Sequence, residues 1–211
     1  MAVVVVGGST RNIGKTSVVA ALIARLPEFN WTAFKITQYG HGFCTADGKP
    51  CQCQTADSCV SIAAERDPST GTDSARFLAA GAVRSLWVRT RIGMLADATP
   101  RIREELAHSE NAILESNSIL DHLDPDLYLS VIDPAIPDFK DSARRFLPRA
   151  DAILIASRNA AATLPADIAA AIPLSTPRFT VSPPTYVTDE VANFARACLS
   201  APPALRQPLL R

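Results

Sequence analysis

The segment Gly8-Ser9-Thr10-Arg11-Asn12-Ile13-Gly14-Lys15-Thr16 holds the residues best equipped for chemistry, and Ser17 continues it. Two glycines bracket a short run that ends in Lys-Thr. A loop of this composition wraps the backbone N–H groups of Ser9, Thr10, Arg11, Asn12, Ile13 and Gly14 around phosphate oxygens. A helix that starts at Gly14 points the positive end of its dipole at the same oxygens. Lys15 then neutralises the β- and γ-phosphates, and the Thr16 hydroxyl ligates Mg2+. The common spacing has four residues between the glycines. Here Ser9 stands at that first glycine position and Gly8 gives a longer gap. The expected ligand is a nucleoside triphosphate, with ATP and GTP both open.

A second cluster follows. His41, Cys44, Cys51 and Cys53 have the ligand types and number for tetrahedral zinc or another thiophilic metal. The spacing is not the paired Cys-x2-Cys of zinc ribbons, so a metal site, a redox pair and packing thiols all stay open. Cys59 abuts Val60 and Ile62 and reads as packed, and Cys198 stands apart.

Strands and helices must position these groups. Residues 2–6 form a β-branched run, as suits a strand buried on both faces. A helix follows over 14–26 and a strand over 32–37. Lys35 lies near the C-terminal end of that strand, where it can reach the phosphate site or lie along the surface. Residues 40–58 are polar, cysteine-bearing and rich in turn residues, which predicts a long functional or mobile loop. A short strand is expected over 59–64 and a helix over 73–81, capped by Asp73. Strands follow over 83–88, 111–115, 127–132, 152–156 and 179–181. Helices fall over 93–107, 138–147, 165–172 and 188–199. Asp133 ends a strand, where it either faces the nucleotide site or begins a turn. Asn159 follows the 152–156 strand, where it either reads a purine edge or closes an Asx turn. This alternation predicts a three-layer α/β fold with a mainly parallel sheet. Residues 1–200 then form one domain with a cysteine-bearing insertion at 40–59, and 201–211 form a frayed tail.

The long glycine gap resembles dethiobiotin synthetase, whose loop has the form G-T-x-T-x-x-G-K-T. The segment Phe34-Lys35-Ile36-Thr37-Gln38-Tyr39-Gly40 is similar to that family's Y-K-P-x-x-x-G stretch, which implies that Lys35 helps bind substrate and phosphate. Ala112-Ile113-Leu114-Glu115 resembles its hydrophobic strand ending in Glu-Gly, which implies that Glu115 sits by Mg2+; a merely solvated glutamate is the alternative. Ser116-Asn117-Ser118 departs from the family's glycine-rich turn.

Residues 72–82 also resemble the D-(ST)-x-R-x-x-x-A-G-A stretch of the GTP-binding adaptor family of molybdopterin-guanine dinucleotide synthesis. That likeness covers residues 1–120. It implies a Mg2+ or water-positioning role for Asp73 and a phosphate-side cation at Arg76, against helix capping and a solvated arginine. Both families belong to the phosphate-loop NTPases related to signal recognition and MinD-like proteins. The extra lysine of the MinD-like signature is replaced here by Thr10, with Arg11 one residue later. The branch implies a homodimer across the nucleotide face.

Composition agrees with a single compact globular domain. The chain has 211 residues, and 47% of them are hydrophobic, enough for a sizeable core. Lys plus Arg (21) balances Asp plus Glu (21), which argues against a general nucleic-acid binder. The apolar run at 2–6 is far short of the roughly 20 residues of a membrane span, and no basic segment precedes it. A cytoplasmic location is expected. Two functions remain open. One is Mg2+-dependent NTP hydrolysis or phosphoryl transfer to a small acceptor near Lys35, with Lys15, Lys35 and Glu115 as the catalytic candidates. The other is a nucleotide-bound adaptor or metal-handling accessory protein.

Overall fold

The computed structural model of the chain describes residues 1–40, 60–157 and 163–200. Its strands are β1 (Val3–Gly8), β2 (Trp31–Tyr39), β3 (Val60–Ala64), β4 (Arg84–Arg91), β5 (Asn111–Glu115), β6 (Leu127–Ile132), β7 (Ala152–Ala156) and β8 (Arg178–Val181). They form one sheet in the order β3-β4-β2-β5-β1-β6-β7-β8. Every pairing is parallel except that of β3, which runs antiparallel to β4 at the edge. The helices are α1 (Lys15–Arg25), α2 (Asp73–Ala79), α3 (Leu95–Ala107), α4 (Asp141–Phe146), α5 (Ala166–Ala171) and α6 (Asp189–Ser200).

Alternation along β1 explains the layering. Val4 and Val6 point into a core shared with Val18, Leu22 and Ile23 of α1, Phe77 of α2 and Val191 of α6. Val3 and Val5 point into a second core with Ile102 of α3, Phe146 of α4 and Ile168 of α5. A strand covered on both faces can be apolar at every position, and β1 is buried throughout. The fold is thus a three-layer α/β fold with a mainly parallel sheet. Among the described residues no helix is long and apolar enough to cross a membrane.

Several boundaries differ from the sequence reading. β4 runs three residues beyond 88 and β2 two beyond 37. Their extensions, Gln38-Tyr39 and Arg89-Thr90-Arg91, are largely polar, a pattern that resembles a loop until a neighbouring strand pairs with it. The helix expected over 138–147 starts at Asp141, because Lys140 is extended (φ −62°, ψ 143°). Asp73 is the first residue of α2 rather than its cap. Thr72 caps it, its side chain accepting from the Ala75 N–H at 3.1 Å. Asp133 forms the expected turn, accepting from the Ala135 N–H. The tail 201–211 and most of the 40–59 insertion lie outside the described residues.

Candidate functional site

The loop after β1 is held from three sides. The Ser9 N–H donates to the Val131 carbonyl of β6 at 2.9 Å, and the Lys140 N–H donates to the Ser9 carbonyl at 2.9 Å. The Thr10 hydroxyl donates to Asp138 Oδ2 at 2.5 Å. Behind them, the Asn117 side chain accepts from the Gly8 N–H at 2.8 Å and donates to the Gly8 carbonyl at 2.9 Å. Gly8 has no room for a side chain, since a Cβ would lie 2.7 Å from Ile13 Cδ1 and 2.8 Å from the Val131 carbonyl. Asn12 and Gly14 take positive φ (59° and 97°), which asparagine and glycine tolerate best. A side chain at Gly14 would also strike the Tyr186 ring. Ser9, Thr10 and Ile13 are buried, whereas Arg11 and Asn12 are exposed at the loop's crest. The Ser9 amide is committed to Val131, so this residue anchors the loop, and its hydroxyl is buried with no partner among the described residues.

Register explains how distant residues meet. Val6, Glu115, Lys35 and Trp87 form one row across β1, β5, β2 and β4. Val6 faces α1, so this row lies on the α1 side of the sheet. There the Lys35 ammonium stands 2.6 Å from Glu115 Oε1 and 2.6 Å from Asp73 Oδ2. It lies 3.4 Å from the Thr16 hydroxyl, which itself donates to Glu115 Oε2 at 2.7 Å. Glu115 is 5% exposed and Asp73 41%, so the first is an interior group and the second a rim group. The three residues expected to hold Mg2+ therefore converge on one positive charge. An all-oxygen donor set of two carboxylates and a hydroxyl suits a hard divalent cation.

The Lys15 ammonium curls back to the Thr10 carbonyl. Burial pulls its pKa from 10.5 down to about 8; Glu115 opposes this, and Lys140 and Lys35 add to it. Lys140 is likewise lowered, by burial and then by Arg11, with Asp138 opposing. Three lysines thus share one small volume, Lys15 from α1, Lys35 from β2 and Lys140 from the segment after β6. Ser17 accepts from Arg76 Nη2 at 2.9 Å, and Arg76 stays 3.8 Å from Asp73, so this pair belongs to the rim.

Sequence reasoning missed Asn117, Asp138 and Lys140. Their signal is topological: β6 lies beside β1, so the segment after β6 passes over the loop, and nothing in residues 138–140 announces that neighbour. His41, Cys44, Cys51, Cys53 and Asn159 lie outside the described residues. Among the described residues no group of three His, Cys, Asp or Glu side chains is gathered as a metal site. A separate open cleft of about 890 Å³ lies between α3 and residues 120–124. Its Arg149 pairs with Asp124 at 2.7 Å, and none of the site residues above lines it.

No protein-family model matches the chain, and no curated protein matches it. Among solved structures, HypB from Helicobacter pylori in complex with nickel is similar over 92% of this chain and 85% of that one. The TM-score is 0.48 and the identity 15%, a likeness that says nothing about what this chain binds.

Proposed function

We propose that this chain is a Mg2+-dependent nucleoside triphosphate-binding protein, taking ATP or GTP, that hydrolyses its nucleotide or transfers the γ-phosphoryl group to a small acceptor near Lys35. The observation that supports this best is the convergence of Thr16, Glu115 and Asp73 on the Lys35 ammonium, directly beside the loop and Lys15.

The loop backbone and the N-terminus of α1 cradle the phosphates. Lys15 swings from the Thr10 carbonyl, which already marks its reach, onto the β- and γ-phosphates. Thr16, with Glu115 and Asp73, would hold Mg2+, which supplies charge neutralisation on the phosphate oxygens. Lys35 shares those oxygen partners and carries charge toward the γ-phosphoryl group. Lys140, whose N–H donates to the Ser9 carbonyl, adds a third ammonium that couples to Lys15 and Lys35. Stabilisation of the transferring group is then electrostatic, by donors held in place before reaction.

Phosphate release with Mg-ATP and Mg-GTP tests the reading. Glu115→Gln keeps the shape of the site and removes one interior charge, and its turnover is expected to drop by at least about 100-fold with an unchanged circular dichroism spectrum. Undiminished turnover in that variant would sink the assignment of Glu115.

A further inference from the structure

The row of side chains one step beyond Lys35 carries an arginine that the phosphate chemistry does not use. Arg89 of β4 is in register with Thr37 of β2 on one side and Ser61 of β3 on the other. Two residues along a strand restore the same face, so Arg89 lies on the side of Lys35 and Trp87 and nearer the C-terminal edge. Its guanidinium carbon lies 4.6 Å from the centroid of the Trp87 ring. Trp87 is itself fixed, its Nε1–H donating to the Thr37 hydroxyl at 3.1 Å. One Arg89 terminal nitrogen makes a long 3.4 Å bond to the Ser61 hydroxyl, and its Nε is buried with no partner among the described residues. None of the described ion pairs includes Arg89. The nearest charged neighbours in this register are cationic, Lys35 one row below and Arg91 one row above.

A guanidinium stacked on indole, oriented by its neighbours and left without a carboxylate among the described residues, is built to receive a planar oxyanion. Its Nε–Nη edge matches the two oxygens of a carboxylate. A buried donor without a partner is costly to leave open, and a ligand oxygen would satisfy it. We propose that Arg89, backed by Trp87 and flanked by Thr37 and Ser61, is a binding subsite for the carboxylate of a small acceptor. Successive rows on one face lie about 7 Å apart along the strands. A carboxylate on Arg89 therefore leaves the other end of a short-chain acceptor within reach of Lys35. Only that last step, which end meets the phosphoryl group, rests on the function proposed above; the anion subsite does not.

The test is saturable perturbation of tryptophan fluorescence in the full chain, titrated with acetate, glutarate and inorganic phosphate, with and without a non-hydrolysable Mg-nucleotide. Wild type is expected to bind glutarate or acetate. Arg89→Lys keeps the charge and loses the fork, so its affinity should fall on the order of ten-fold; Arg89→Met should lose more. Lys15→Ala should keep carboxylate binding while losing the nucleotide, which separates failure of the subsite from failure of the nucleotide reading. Equal carboxylate affinity in wild type and both Arg89 variants would overturn the proposal. So would binding of phosphate alone, or of none of the three probes. If Arg89→Met fails to fold, Arg89→Lys decides the matter by itself.

Discussion

Lys15 is where sequence and environment meet most directly. Its type and place follow from the loop, but its titration follows from burial among Lys140 and Lys35. In the free protein the ammonium loses its proton near pH 8. A bound polyphosphate favours the protonated form, so the complex keeps the proton to higher pH. Affinity is therefore expected to be flat below about pH 8 and to fall above it, where binding must take up a proton. Calorimetry in buffers of different ionisation enthalpy checks this, and Lys15→Arg, always charged, should flatten the profile. Lys140 gives a companion prediction. Lys140→Ala removes a half-buried cation without touching the loop's backbone bond to Ser9, and nucleotide affinity should fall about ten-fold with weaker salt dependence. Unchanged affinity would remove Lys140 from the site.

At the scale of elements, the loop depends on strand neighbours. Asn117 pairs with both backbone groups of Gly8, so Asn117→Ala leaves a buried donor and acceptor open. A loss of about 1–3 kcal/mol in urea denaturation is expected, together with weaker nucleotide binding. Much of this level was legible from sequence. β5, β6 and β7 begin and end at the residues that apolar patterning picks out, because strands buried on both faces are apolar throughout. The polar ends of β2 and β4 were not legible, since Gln38 and Tyr39 on one strand and Arg89 to Arg91 on the other become strand residues only through pairing with each other and with β3. Asp73 shows the same limit: its type suits a cap, but Thr72 takes that place and the Asp73 carboxylate turns to Lys35. Asn117, in the turn Ser116-Asn117-Ser118, has a role visible only in three dimensions, the clamp on Gly8.

For the whole molecule, the strand order explains why one edge of the sheet carries the candidate chemistry. β1 lies at the centre, β5 and β2 bring Glu115 and Lys35 to one flank, and β6 sends Asp138 and Lys140 over the other. Residues from five separate stretches thus surround one loop, and the two apolar layers hold that arrangement rigid from either face. The central claim is that this loop binds a nucleoside triphosphate through Lys15. Calorimetric titration of Mg-ATP and Mg-GTP into wild type and Lys15→Ala tests it most directly. The account predicts binding of at least one nucleotide at one site per chain in wild type, weakened about ten- to a hundred-fold in the variant, with its circular dichroism spectrum unchanged. Equal affinity in the two proteins, or no binding of either nucleotide by wild type, would contradict it.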